Sequence, residues 1–158
     1  MTTDATQDEE PIKLSGATTK LRLITTLDAA LVDKLIALGI NDNHALLQRG
    51  ASHEGREALC AEAGIDHVHL LTALYILDLA RVDGIAWNSA KLLNAAGVTT
   101  VPDLAFRSPE DLLPQLQQAN QELSLLKRLP SARVVTTWIE HARSLPQVLT
   151  FGGNAEVY

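Results

Sequence analysis

Apolar residues recur along the chain at the three- and four-residue spacing of α-helices, and glycines or prolines separate one recurrence from the next. The clearest stretch runs from Asp28 to Leu38 and is followed by Gly39, a residue typical of the position after a helix C-terminus. Further helices are predicted to begin near Asn41, Ser52, Asp66, Asn88, Thr100, Ser108 and Ser131. The pattern therefore predicts an all-α protein made of short helices.

Composition supports the same fold class. Hydrophobic residues make up 46% of the 158 residues but aromatic residues only 4%, so the interior must consist mainly of Leu, Ala, Ile and Val. Leu and Ala favour helices, and a chain of this length forms one domain or two small lobes that share a core. We predict a compact helical bundle over residues 20–146, a disordered acidic tail over 1–19 and a C-terminal tail over 147–158. The apolar residues 148–151 of that last tail can dock on the body.

The segment from Leu79 to Leu93 has the pattern of a helix-hairpin-helix unit. Gly84 allows a sharp turn where a side chain would clash. Ile85 is expected to point between the two helices, and the small Ala90 allows them to approach closely. The segment therefore predicts two helices joined by a tight turn.

In DNA-binding versions of this hairpin the turn has the sequence Gly-hydrophobic-Gly, and its backbone N–H groups hold a DNA phosphate. Here Ala86 stands at the second glycine position, and Lys91 is the nearest cation after the turn. We favour the interpretation that the hairpin is a packing device. The alternative is a phosphate site formed by Gly84, Ala86 and Lys91 with help from Arg81 and Arg107.

An internal repeat places a second, more degenerate copy of the hairpin earlier in the chain. Its identities are Leu35, Ala37, Gly39, Leu46 and Arg49, which recur at one constant offset as Leu93, Ala95, Gly97, Leu104 and Arg107. In the first copy Thr26 and Asp28 stand where the two glycines would be. The repeat predicts two tandem helix-hairpin-helix pseudo-repeats over about 22–77 and 80–134, followed by a last helix over 131–145.

Several short stretches between residues 22 and 150 carry a resemblance to a known family. They are Leu46–Ala51, Gly55–Arg56 with Leu59, Ala63–Ile65, Asp78–Val82, Ala95–Val98, Val101–Ala105, and Leu129–Pro130 followed by Trp138, Ile139 and Ala142. In that order they resemble an uncharacterised bacterial domain-of-unknown-function family of tandem helix-hairpin-helix proteins. The resemblance implies a helical fold related to the hairpin modules of DNA repair and polymerase proteins, and it implies no established activity.

Two other positions have both a structural and a functional interpretation. Trp87 follows the hairpin turn and either covers the core or anchors a protein partner, since exposed aromatic residues are frequent binding hot spots. Gly55 inside a helix favours close helix packing, with Arg56 bonded to nearby carbonyls. The alternative places Arg56 in an anion-binding groove with Arg81 or Arg107.

Charge and chemistry narrow the function classes. The net charge is −6, and most of it belongs to the acidic first ten residues, whereas nucleic-acid-binding domains are usually basic. The close spacing of His67 and His69 does not suit a metal site on a helix, and no catalytic or cofactor-binding motif is present. Cys60 is the only cysteine, which excludes an intramolecular disulfide. We expect no metal, no cofactor and no enzymatic activity.

The remaining expectations concern location and partners. The N-terminus lacks the features of a signal peptide, and no apolar run approaches the roughly 18 residues of a membrane span, so we expect a cytoplasmic protein without membrane contact. We predict a non-catalytic helical interaction or scaffold module that binds a protein partner. The alternative is sequence-nonspecific nucleic-acid binding through the second hairpin, which would weaken steeply with salt.

Overall fold

A computed structural model describes residues 12–152 of the chain, and within this range the predicted all-α class is confirmed. The helices are α1 (Ala29–Ala37), α2 (Asn43–Gly50), α3 (His53–Ala63), α4 (His67–Leu79), α5 (Trp87–Ala95), α6 (Val101–Ala105), α7 (Pro109–Leu123) and α8 (Ala132–Ser144). A 3₁₀ turn, Leu21–Leu23, precedes α1. None of the helices in the described range is long and apolar enough to span a bilayer.

Side-chain caps fix where most of the helices begin. The predicted caps that accept a backbone N–H of the first turn are Ser52, Asp66, Thr100, Ser108 and Ser131. Two expected starts differ: α5 begins at Trp87, one residue before Asn88, and α2 is capped by Asp42, whose carboxylate accepts from the Ala45 N–H at 2.8 Å. Asn41 instead donates to the carbonyl of Gly39. Short-range hydrogen bonding therefore determines the helix boundaries.

Helix α4 lies at the centre of the core. Most of its residues are buried, and it packs against α2, α3, α5 and α6. Helix α8 completes the bundle by packing on α6 and α7 through its apolar face. A helix that is apolar around most of its circumference is stable only when other helices surround it, so α4 organises the packing.

The two halves of the chain share their local geometry at the offset of the sequence repeat. The offset that relates Gly39 to Gly97 also relates both ends of α1 to those of α5, and the start of α2 to that of α6. Both glycines have positive φ, at 86° and 102°. In each copy the residue after the glycine donates its N–H to an internal carbonyl at 3.0 Å: Ile40 to Leu35, and Val98 to Leu93. Relative to α3 and α4, helix α7 begins earlier and helix α8 later than this offset requires.

The segment before the first helix lies along the body. The expected tail over 1–19 falls outside the described residues as far as residue 11, whereas residues 12–19 pack on the bundle. The buried side chain of Asn43 holds this segment, because it accepts from the Thr19 N–H at 2.7 Å and donates to the Ala17 carbonyl at 3.2 Å. Polar composition predicted disorder here, but a buried amide that needs partners orders the chain.

The segment after α8 also docks on the body in its described part. Val148 and Leu149 are buried, and the Thr150 N–H donates to the carbonyl of Ala51 at 2.8 Å. The buried guanidinium of Arg56 donates to Thr150 O at 2.6 Å, as well as to the carbonyls at the end of α2. The sequence-predicted tail over 147–158 therefore begins as a strap across α2 and α3.

Gly55 allows α3 to touch the end of α2. A Cβ atom at this position would overlap the carbonyl oxygen of Arg49, far inside van der Waals contact. Because both atoms belong to elements fixed by their backbones, neither can move away without separating the helices. The predicted structural interpretation of Gly55 is therefore confirmed.

We expect Gly55→Ala to lower the free energy of unfolding by about 2 kcal/mol, because overlap with a backbone oxygen puts the overpacking cost at the upper end of its usual range, about 3 kcal/mol, and the helix-propensity gain returns only about 1 kcal/mol. Urea denaturation followed by circular dichroism measures the change. Gly152→Ala is the control, since a Cβ there comes no closer than 3.9 Å to its neighbour His53. A Gly55→Ala variant as stable as the Gly152→Ala variant would show that the helix contact is not tight.

Candidate functional site

The turn of the second hairpin lies against α8. The Asp83 N–H donates to Nδ1 of His141 at 2.9 Å, and the Ile85 N–H donates to the carbonyl of Val82 at 3.1 Å. Gly84 has φ 87°, and a Cβ there would lie 3.2 Å from the indole nitrogen of Trp138. The positive φ and the close approach of Trp138 both favour glycine at position 84. Folding alone therefore explains this residue, without a role in phosphate binding.

The helix that follows the turn begins without a side-chain cap. Ala86 occupies the N-cap position and is exposed, as is Gly84. Lys91, the cation expected beside the turn, is half-buried and lines a different cavity from Ala86, namely a cleft beside the first hairpin. The structure therefore does not bring these three predicted phosphate-site residues into one pocket.

Arg81 is buried rather than exposed beside the hairpin. Its Nε and Nη2 atoms contact one carboxylate oxygen of Asp78 at 2.9 and 2.8 Å, and Nη2 also donates to the carbonyl of Pro146 at 3.2 Å. The other oxygen of Asp78 accepts from the Val101 N–H at 2.8 Å. Burial raises the pKa of Asp78, and the adjacent Arg81 charge acts in the opposite direction. This cation is used inside the fold.

Arg107 is also engaged within its own half of the chain. It forms a two-point contact with Asp103, with Nε–Oδ1 at 3.2 Å and Nη2–Oδ2 at 3.1 Å, and it donates to the carbonyl of Gly97 at 2.9 Å. Burial alone would raise the pKa of Asp103, but hydrogen bonds from Arg107 and from the Thr99 N–H outweigh it and hold the pKa below its usual value. Arg107 thus fastens the Gly97 turn to α6.

Trp87 is half-buried and packs on the core. It lines a cavity of about 210 Å³ together with Arg81 and Ala86. Arg56 does not face a groove with Arg81 or Arg107 as partners, because its guanidinium binds main-chain carbonyls and lies 5.0 Å from the ring centre of Phe151. These contacts support the structural interpretation of Arg56, in which it bonds nearby carbonyls.

Phe106 is the aromatic residue that sequence reasoning missed. Its side chain is 90% exposed, the highest value among the large hydrophobic residues in the described part of the chain. It lies at the end of α6, where Val101 and Leu104 are buried, and beside it Arg143 donates from Nε to the carbonyl of Ala105 at 3.2 Å. The signal was the helical spacing of the two buried residues, which directs residue 106 away from the core.

A cleft of about 360 Å³ separates the first hairpin from α4 and α5. Its floor is apolar, and polar side chains surround its mouth. The floor consists of the buried residues Leu27, Leu31, Ala73 and Ile76. The mouth includes Asp28, His69, Thr72, Lys91 and Asn94. Neither hairpin motif predicted this cleft, because it forms between the two halves of the chain.

The described residues include no cluster of metal ligands and no exposed thiol. Over residues 12–152 no group of three His, Cys, Asp or Glu side chains could hold a metal ion. Cys60 is buried, and its pKa is raised by that burial and further by the carboxylates of Asp66 and Glu57. A thiol whose pKa is raised is a poor nucleophile.

Comparison with known proteins identifies a family but no individual relative. The chain matches the model of a family described as Domain of unknown function (DUF4332), over residues 26–145. The matched residues run from the turn of the first hairpin to the end of α8. No curated protein and no solved structure matches the chain.

We expect Arg81→Met to destabilise the fold by roughly 3–5 kcal/mol, because it leaves the buried carboxylate of Asp78 without a counter-charge. The double variant Asp78→Asn/Arg81→Met should recover part of this loss, since a neutral amide can still accept from the Val101 N–H. Chemical denaturation of each variant measures the difference. Arg128→Met, at an exposed position, is the control and should change stability by less than about 0.5 kcal/mol. A loss at Arg81 no larger than at Arg128 would contradict this assignment.

The Asp103–Arg107 contact predicts a dependence of stability on acid. Since the folded-state pKa of Asp103 lies below its ordinary value of 3.8, its stabilising contribution is present above that value and is lost as the pH falls through the folded-state pKa. Asp103→Asn should therefore be less stable than the wild type at neutral pH, with the difference narrowing in acid. Urea midpoints measured at several pH values test this. Asp33→Asn, in an exposed pair with Arg22, is the control and should lower stability at neutral pH by less than Asp103→Asn does.

Proposed function

Because the chain belongs to the family described as Domain of unknown function (DUF4332), its role has to be inferred from its own surface, and we propose that it is a non-catalytic protein-interaction module. The observation that carries the proposal is the 90% exposure of Phe106. An aromatic side chain left in water loses the free energy that burial would provide, at about 25 cal/mol per Å² of apolar surface. A partner that covers it would recover that free energy.

The surroundings of Phe106 suggest the chemistry of the partner. Arg143 lies beside it and uses only Nε to bond the Ala105 carbonyl, and no carboxylate in residues 12–152 pairs with its terminal nitrogens. An exposed aromatic residue next to an arginine is the side-chain combination enriched in protein interfaces. We infer a partner segment that places an apolar side chain on Phe106 and an acidic one on Arg143.

Nucleic-acid binding through the second hairpin receives less support from the geometry. Arg81 is bound to Asp78 within the core, Arg107 is bound to Asp103, and the Asp83 N–H of the turn donates to His141. The uncapped start of α5 remains, but Lys91 lines a different cavity from Ala86 at that start. A protein partner is therefore the better-supported proposal.

We also infer that the two halves are helix-hairpin-helix pseudo-repeats. The support is local: both turns close with the same backbone bond at 3.1 Å, from Leu27 to Ile24 in the first half and from Ile85 to Val82 in the second. These positions are related by the same offset as the helices that follow them. In this arrangement the repeats form the scaffold, and Phe106 lies at the end of a helix that the scaffold holds in place.

Photo-crosslinking tests the protein-binding proposal. A photoreactive phenylalanine analogue at position 106, in cells that make the chain, should give a discrete adduct on irradiation that protease removes and nuclease does not. The same analogue at Leu23, another apolar position, which is 69% exposed, is the matched control and should give none.

A charge variant tests the inferred acidic contact. Arg143→Glu should lower the yield of the adduct at position 106 several-fold, because it sets like charges against each other, whereas Lys127→Glu should leave the yield unchanged. An adduct that nuclease removes would favour the nucleic-acid alternative. Absence of any adduct at position 106 would contradict the proposed surface.

A further inference from the structure

The cleft between the first hairpin and α4 and α5 has the size and lining of a small-molecule site. Its volume of about 360 Å³ is near the lower end of the range of roughly 300–1,000 Å³ for ligand pockets. It is lined by four separate elements: the turn before α1, Leu31 of α1, one face of α4 and one face of α5. It does not include Phe106, so it is independent of the docking surface proposed above.

The floor of the cleft can accept an aliphatic group. Leu27, Leu31, Ala73 and Ile76 present only hydrocarbon, and each is at least nine-tenths buried in the fold. These side chains are fixed by core packing, so the floor is formed before any ligand arrives. An apolar chain that enters gains the free energy of burial without reordering the protein.

The charge at the mouth of the cleft favours an anion. Lys91 is half-buried, and its ammonium group has no hydrogen bond or ion pair within the described chain. The carboxylate in the same lining does not pair with Lys91, since Asp28 accepts from the Leu31 N–H at 3.0 Å and is stabilised by the positive N-terminal end of α1. The cation is thus the group that lacks a counter-charge.

A second polar group in the lining of the cleft, on the turn before α1 and not on α5, also lacks a partner. The hydroxyl of Thr26, which lines the cleft, is shielded from solvent and makes no hydrogen bond in the described residues. Buried polar atoms are nearly always hydrogen-bonded, so an orphaned one in a cavity wall needs an explanation. A hydroxyl and an ammonium group can both donate to an oxyanion.

We propose that this cleft binds a small aliphatic carboxylate, with its hydrocarbon chain on the floor and its carboxylate at Lys91. The Lys91 ammonium on α5 supplies the charge-assisted hydrogen bond, and the Thr26 hydroxyl, on the turn before α1, can donate only after its side chain turns towards the cleft. In this arrangement Lys91 acts at the junction of the two halves of the chain. Lys91 therefore binds a ligand in the cleft beside the first hairpin, and not a phosphate at the turn of the second hairpin.

Titration of the isotopically labelled whole chain with octanoate, followed by NMR, tests the proposal. Saturable shifts should appear in the backbone amides of residues 27–31, 72–76 and 91–95. Octylamine, which has the same hydrocarbon chain and the opposite charge, should bind more weakly. Lys91→Gln should weaken octanoate binding by about tenfold and leave octylamine binding no weaker, whereas Lys127→Gln should leave both unchanged.

A steric variant tests whether the ligand occupies the cleft, independently of the charge of Lys91. Thr72→Trp should fill the mouth and weaken both ligands. Thr137→Trp is the matched control, because both threonines are exposed and bond the carbonyl four residues earlier, at 2.8 and 3.0 Å. Shifts that map elsewhere, equal binding of octylamine and octanoate, or unchanged binding in Lys91→Gln would each overturn the proposal.

Discussion

The buried ion pair between Asp78 and Arg81 joins three separate parts of the chain by polar bonds. Asp78 lies on α4 and accepts from the first N–H of α6, while Arg81 donates to the carbonyl of Pro146 beyond α8. A charge withdrawn from water is tolerable only when it is paired with an opposite charge. Nη1 of Arg81 is buried without a hydrogen bond in the described residues, so Asp78 and the Pro146 carbonyl are the groups that compensate its guanidinium. The pair therefore requires α4, α6 and the end of α8 to meet in one arrangement, and the hairpin turn that follows Arg81 is placed by it.

The need to pair buried groups also explains why the hairpin does not offer the arginines that its sequence predicted for a phosphate site. Arg56, Arg81 and Arg107 could each have served an anion, yet each donates to main-chain carbonyls of its own fold. Their long side chains replace the capping that tight turns and helix ends otherwise need. Positive charge beside the two proposed binding surfaces is supplied instead by Lys91 in the cleft and by Arg143 beside Phe106.

Sequence reasoning succeeded where the cause was local. Caps such as Ser52 and Thr100 act over three residues, and Gly97 turns the chain within one helix end, so their positions could be predicted. The burial of Arg81 could not, because its partner carbonyl is 65 residues away. Composition failed for residues 12–19, where the amide of Asn43 orders a polar segment. The cleft and the exposure of Phe106 depend on how helices pack, which no single segment encodes.

The strap that follows α8 has a consequence for the order in which the protein assembles. Arg56 belongs to α3, yet its guanidinium binds the carbonyl of Thr150, 94 residues later. During synthesis the first half emerges long before this carbonyl does, so Nη1 of Arg56 can bond the nearby carbonyls of Gly50 and Ala51 while Nη2 still lacks its acceptor, which is unfavourable for a buried group. The early helices can form, but they reach their final packing only when the last part of the bundle arrives. The two halves therefore share their local geometry, but they complete their packing together as one cooperative unit.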